Sequence, residues 1–186
     1  MEEKICKFLA NKKIKNASVI VLIGVKHSGK STIAKKIASQ LKIDAFDIDE
    51  IIEKKAQSSV RDLYKKKGKD GFFQAEFDAC EEFVKTIGFM QRFEKIVVAT
   101  GGGICENEKA IEVLKKINKS VFVFLDVNEK TVIERILKNS QKTGSLPPYI
   151  ARKNPKDNEE VKKIFHDFFV KRRKKYKKLA NVVWKI

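Results

Sequence analysis

Disulfide chemistry, zinc ligation and membrane insertion are all poorly provided for in this sequence. Its cysteines, Cys6, Cys80 and Cys105, are odd in number, far apart and never form a CxxC pair, which argues against a disulfide framework or a thiolate metal site and points to a reducing compartment. No apolar stretch approaches the length of a bilayer span, and residues 1–16 alternate charge with apolar side chains too often for a signal peptide. A cytoplasmic protein without membrane association is expected. Acidic residues are scarce beside basic ones, 24 Asp plus Glu against 41 Lys plus Arg, for a net charge of +17. Such a balance attracts polyanions. No zinc finger, RNP aromatic motif or helix-turn-helix spacing accompanies it, so the lysines read as a solvated coat and no specific nucleic-acid partner is expected. The two histidines, His27 and His166, stand alone and do not form a catalytic cluster.

What the chain does have is a phosphate loop. Residues 24–31, Gly-Val-Lys-His-Ser-Gly-Lys-Ser, satisfy GxxxxGK[ST] between an apolar run, Val19–Ile23, and an amphipathic segment opening at Thr32. A loop of this shape turns backbone N–H groups inward, and the helix after it adds the positive end of its dipole, so phosphate oxygens find donors without extra charge. Gly24, His27, Ser28, Gly29, Lys30, Ser31 and Thr32 are therefore the candidate nucleotide-binding residues. Lys30 supplies a point charge for the β- and γ-phosphates, and the Ser31 hydroxyl can take one position on a magnesium ion.

The length, 186 residues, suits one domain with a real core. Short apolar runs at 45–48, 96–99, 121–125 and 182–184 alternate with helical patterns, the rhythm of an α/β protein whose parallel sheet is covered on both faces. Ile33, Ile37 and Leu41 mark one helix face, Phe72, Phe73, Phe77, Cys80 and Val84 a second, and Ile111, Leu114 and Ile117 a third. Ahead of the first strand, Ile5, Phe8 and Leu9 share a face and predict a short helix within a leading extension, 1–17. All three prolines fall in 139–158, which reads as a loop able to act as a lid.

Two further clusters carry chemistry. Asp47 and Asp49 end a predicted strand expected beside the loop strand, where alternation would aim both carboxylates the same way, one toward magnesium and the other toward a substrate hydroxyl. Thr100 and the glycines 101–103 follow the buried run 96–99, at the carboxyl edge where open α/β sheets bind ligands. Val121 to Asp126 looks like a Walker B strand, but its acid is expected to cap the helix beginning near Glu129.

Together these residues resemble the shikimate kinase family, small ATP-dependent kinases of the nucleoside monophosphate kinase type. The phosphate loop, Asp-x-Asp, Ser-Val-x-x-Leu-Tyr at 59–64, Gly-x-x-x-Phe at 68–72, Glu76 and the Gly-Gly-Gly turn keep the family's order and near-family spacing. The resemblance implies a five-stranded parallel sheet flanked by helices, a substrate-binding region at 51–90 and a lid at 139–158 closing over ATP. It implies magnesium between Ser31 and Asp47, Lys30 and Asp49 as the catalytic pair, and Asp49 facing the accepting hydroxyl. Gly101, Gly102, Gly103 and Arg172 would fix the acceptor, shikimate or a similar acid, and Lys138 and Asn139 would pack against adenine. A monomer is expected.

The departures from the family pattern are equally specific. Of three arginines with which the family holds its acceptor, only Arg172 remains; Phe73 stands at one position, and the lid reads Ser145-Leu146-Pro147-Pro148 where the family shows Arg-Pro. Lys138, Lys142 and Arg152 are candidates to reach in from elsewhere. Arg172 lies on an inward stripe with Val161, Phe165, Phe168, Tyr176 and Leu179, whereas Arg173 and the lysines at 174–178 fall mostly on solvated sides. Its anionic partner is expected to be the substrate, with Glu76 as the competing structural choice. The substitutions keep other readings open: a kinase for a sugar acid or nucleoside, an ATP-binding module that has lost transfer, or a nucleic-acid-binding protein using its charge.

Overall fold

The computed structural model describes residues 2–90 and 95–186; Met1 of the leading extension lies outside them. Five strands form one parallel sheet in the order β2-β3-β1-β4-β5. They are β1 (Val19–Ile23), β2 (Asp44–Asp47), β3 (Ile96–Ala99), β4 (Ser120–Asp126) and β5 (Val182–Lys185). The predicted runs at 19–23 and 96–99 match β1 and β3 residue for residue, because these strands are buried on both faces and continuous apolar sequence has no other use there. The strand bearing Asp47 does not lie beside the loop strand as expected: β2 pairs with β3, and β3 pairs with β1. That places the glycine turn between the two acids and the phosphate loop.

Alternation along the strands divides the core into two layers. Val19, Val21, Ile23, Val98, Phe122 and Phe124 face one, and Ile20, Leu22, Val97, Val123 and Leu125 face the other. The leading segment folds as α1 (Glu2–Leu9) and α2 (Lys12–Lys15) and covers the second layer. Ile5 and Phe8 are buried as predicted, and the Phe8 ring stacks on Trp184 of β5 at 4.2 Å, tying the extension to the sheet edge. The helix α3 (Lys30–Leu41) lies on the same side, with Ile33 and Ile37 buried.

On the opposite side, α4 (Ile48–Ala56) and α5 (Val60–Phe89) pack against each other over the first layer. Helix α5 is kinked at Gly68, where φ is 65°. Its predicted face is borne out in part: Cys80 is buried as expected, and Phe72, Phe77 and Val84 are half-buried against the core, but the fully buried positions beside Cys80 are Glu76, Ala79, Phe83 and Ile87, and Phe73 is only half-buried. Helical spacing through 76, 79, 80, 83 and 87 sets the inward stripe, and the charge at Glu76 disguises it in the sequence. A short 3-10 turn (Ile104–Glu106) and α6 (Glu108–Lys115) follow the glycines.

The predicted lid is half helical. Helix α7 (Glu129–Thr143) extends into it, and Pro147 caps the short α8 (Pro148–Ala151). The long α9 (Asn158–Leu179) then crosses back over the sheet, burying Val161, Phe165, Phe169 and Tyr176. Asp126 does not cap α7. Asn128 holds that position, and the Asp126 carboxylate instead receives two bonds from Arg173 on α9, at 2.7 and 2.8 Å. Arg173 is thus not the solvated neighbour expected, because a carboxylate buried at the end of β4 requires a charged partner.

Candidate active site

The phosphate loop joins β1 to α3 through Gly29, which is left-handed at φ 94° and lets the chain turn directly into the helix. Lys30 is the first residue of α3, and its ammonium is folded back into the loop, donating to the Gly24 carbonyl at 2.9 Å and the Val25 carbonyl at 3.0 Å. Burial lowers its pKa to about 8, against the pull of Asp49 and Asp47, which leaves it charged at neutral pH. The Ser28 hydroxyl is buried without a protein partner, an orphaned polar group that a phosphate oxygen would satisfy. Burial and the surrounding cations Lys26, Lys30, Arg135 and Arg61 hold His27 neutral, its pKa pushed down to about 4. His27 therefore adds shape to the loop and no charge. Ser31 and Thr32 are exposed at the start of α3.

Beside the loop opens a cleft of about 440 Å³ lined by Gly29, Thr32, Arg135, Lys138, Asn139 and Ile186, among others. Lys138 and Asn139 stand where the resemblance expected adenine. Arg135, missed from the sequence, donates to the His27 carbonyl at 3.0 Å. The signal was available: Arg135 and Lys138 lie one turn apart on α7 and share a face.

The acid pair is built differently from the expectation. Asp49 is not on the strand; β2 ends at Asp47, and Asp49 is in the first turn of α4. Asp47 acts as the helix N-cap, its Oδ1 accepting from the Asp49 N–H at 2.9 Å. The two carboxyls are therefore held by a cap and its own helix, which fixes them more tightly than strand alternation would. Burial, then the neighbouring Asp47, raise the Asp49 pKa, with Lys30 and Lys26 opposing. Its Oδ1 is buried and unpartnered.

The glycine turn fits against both clusters. A Cβ at Gly102 would lie 2.6 Å from the backbone nitrogen of Lys26, so only glycine lets the turn and the phosphate loop meet. A Cβ at Gly101 would lie 2.7 Å from Glu76 Oε1 and 3.0 Å from Asp49 Oδ1. Glu76 is fully buried; Asn107 donates to its Oε2 at 2.9 Å while Oε1 has no partner. With Phe73 one turn before it, no ion pair among the described residues includes this carboxyl, and its pKa rises to about 7, chiefly through burial, with Asp49 adding to it against the Asn107 hydrogen bond and the more distant Arg172 charge.

Glu76 is not the partner of Arg172. That guanidinium donates to the Gly102 carbonyl at 3.0 Å and pairs with Glu106 at 3.4 Å, lying over the rings of Phe168 and Tyr149 at 4.9 and 5.2 Å. Glu106 comes from the 3-10 turn, whose three residues carry no periodic signal to mark them.

The raised Glu76 pKa has a consequence for stability. The folded state holds this proton more tightly than the unfolded chain, so the stabilisation is complete below about pH 4.5 and lost as pH rises through about 7. Glu76→Gln removes the ionisation and keeps the Asn107 contact. Relative to the parent, the variant should gain about 3 kcal/mol between pH 4.5 and pH 8, since each tenfold change in proton affinity is worth about 1.4 kcal/mol. Urea denaturation at both pH values checks it, and a pH-independent difference would show that Glu76 carries no buried charge.

A second cavity, of about 420 Å³, is bounded by Asp49, the glycine turn, Phe73, Tyr149, Phe168 and Arg172, among others. Phosphate loop, acids and glycine turn thus meet at the carboxyl edge of the sheet, with a nucleotide-sized cleft on one side and a small apolar-based cavity on the other. This arrangement defines a phosphate-loop kinase for a small molecule. Residues 26–185 match the shikimate kinase family model, and the chain belongs to that family, whose members use ATP. It is 35% identical over 163 residues to the shikimate kinase of Sulfurihydrogenibium sp. (strain YO3AOP1), covering 88% of this chain and 84% of that protein. The shikimate kinase of Staphylococcus aureus (strain MSSA476) is 30% identical, with 88% and 81% covered. Among solved structures, shikimate kinase from Aquifex aeolicus superposes with a TM-score of 0.63 at 31% identity, covering 90% of this chain and 86% of that one. The fold is shared with shikimate kinase from Acinetobacter baumannii in complex with shikimate, at a TM-score of 0.71, 23% identity and coverage of 92% and 85%. Among the described residues no helix is long and apolar enough to cross a membrane.

Proposed function

We propose that this chain transfers the γ-phosphoryl group of ATP to a hydroxyl of shikimate. The reading is carried by one juxtaposition: Asp49 Oδ1, unpartnered and buried, lies against the glycine turn that itself contacts the phosphate loop. A hydroxyl in the second cavity would there meet both a proton acceptor and the donor end of the nucleotide.

The roles follow from position. Loop amides from Gly24 to Ser31 and the Lys30 ammonium would hold the phosphates, with the Ser28 hydroxyl adding a donor. Thr32, Arg135, Lys138 and Asn139 line the cleft for the rest of the nucleotide. Ser31 and Asp47 offer hard oxygen ligands at the loop, a donor set that suits magnesium, which keeps several waters and takes few protein ligands. Bound there, magnesium would neutralise charge between the β- and γ-phosphates. Asp49 would orient the acceptor hydroxyl and take its proton as the phosphoryl group moves. Gly101, Gly102 and Gly103 would bring main chain close to the acceptor ring, and Arg172, which lines the same cavity, would bound it. The lid helices would close over the nucleotide and limit hydrolysis by water.

An assay with shikimate, ATP and magnesium tests this. ADP should form only when shikimate is present, with shikimate phosphate as the second product. Turnover of gluconate or a nucleoside with none of shikimate would replace the acceptor. Tight ATP binding with no acceptor phosphorylated would leave only a nucleotide-binding module.

A further inference from the structure

Phe73 and the lid residue Leu146 are apolar where the family presents cations, yet the cavity is rich in positive charge. Lys26, Arg61, Lys69, Arg152, Arg172 and Lys175 line it, against only two carboxylates, Asp49 and Glu106. These cations are not equivalent. Arg172 already has Glu106 and the Gly102 carbonyl. Lys26 belongs to the phosphate loop, where the Asp49 charge acts on it. Lys69 lies over the Phe73 ring at 5.0 Å and is otherwise exposed.

Lys175 is exposed on α9. Arg61 and Arg152 are the guanidiniums left. No ion pair among the described residues includes either of them. Arg61, in the first turn of α5, donates to the hydroxyl of Ser145 in the connection between α7 and α8. Arg152 caps the C-terminus of α8 and lies over Phe168 at 5.9 Å, sharing that ring with Arg172. Two guanidiniums without acidic partners, one from the acceptor-side helix and one from the lid, face a cavity based on Tyr64, Phe72, Phe73, Tyr149 and Phe168. Apolar walls strengthen whatever charge contact forms between them.

We propose that Arg61 and Arg152 form the carboxylate clamp of this protein, taking over from the positions occupied by Phe73 and Leu146. The inference rests on the acceptor reading above and names the residues that give it specificity. The cavity offers both kinds of contact: Asp49 calls for a hydroxyl, and the two unpaired guanidiniums call for an anion. Shikimate is a carboxylic acid with hydroxyls across its ring and meets both. A planar guanidinium fork suits a carboxylate better than a lysine does. Because Arg61 is bonded to Ser145, acceptor binding at this end would also bear on the lid.

Steady-state kinetics of Arg61→Ala, Arg61→Lys and Arg152→Ala test the clamp, with shikimate and its neutral methyl ester compared. For Arg61→Ala the KM for shikimate should rise at least about tenfold, as expected for one lost charged hydrogen bond. The preference for acid over ester, read as the ratio of KM or Ki values, should fall by a similar factor, and the KM for ATP should stay within about twofold. Arg61→Lys should recover part of the loss, and Arg152→Ala should follow the same pattern with a smaller effect because Arg152 is exposed. Equal losses on acid and ester, a loss confined to ATP, or an unchanged KM would overturn the clamp. If Arg61→Ala does not fold, Arg61→Gln is read in its place. A parent protein active on shikimate with these variants unaffected defeats the clamp alone; a parent inactive on shikimate defeats the acceptor reading and the clamp with it.

Discussion

Lys30→Met should lower kcat by about a thousandfold while the protein remains folded. The ammonium is held within hydrogen-bonding distance of two loop carbonyls and stays charged at neutral pH despite burial. A unit charge about 4 Å from a transferring phosphoryl oxygen, at the effective dielectric of a protein site, stabilises by about 4 kcal/mol. Each 1.4 kcal/mol or so corresponds to a factor of ten in rate. Methionine keeps the length and apolar stem, so packing at the start of α3 is preserved and the cost of burying an ammonium disappears. The melting temperature should change by only a few degrees. A steep drop in melting temperature with kcat reduced only severalfold would show that Lys30 mainly ties the loop together.

Asp49→Asn should lower kcat by about 10² to 10⁴, the usual range for loss of a positioned general base, and leave the KM for ATP nearly unchanged. Asparagine matches the shape of aspartate, and the N-cap bond from Asp47 goes to the main-chain N–H of this residue, so it survives the change. Stability should move the other way. Burial and Asp47 raise the Asp49 pKa above its unfolded value, so the ionised carboxyl opposes folding at neutral pH. Removing that charge should raise the melting temperature slightly. A variant with parent-like kcat would mean that the oxygen of Asp49 takes no part in moving the proton.

The contrast between these residues shows where the sequence is legible. Lys30 belongs to a contiguous motif whose chemistry and local geometry are inseparable, so its place at the start of α3 follows from the pattern itself. Asp49 is recognisable as a functional candidate, but for a reason that does not hold: strand alternation would aim it, whereas the helix begins one residue before it and Asp47 caps that helix. A short strand ending in acids has the same composition as a strand followed by a capped helix. Glu106 and Arg61 were not readable at all, because each acts through a partner more than 60 positions away, at Arg172 and Ser145.

By itself the sequence determined the nucleotide-binding apparatus and the layered α/β architecture, since both are written in neighbouring residues: GxxxxGK[ST] within one turn, and apolar runs whose only stable use is a doubly covered sheet. The tertiary structure alone decided the order of the strands, the inward stripe of α5 and the place of Arg61 among the cations that line the second cavity. Those depend on how the chain closes over long distances. Arg61 joins Arg152, which the sequence offered only as one candidate among several, because the fold and not the sequence spacing brings both to the same cavity.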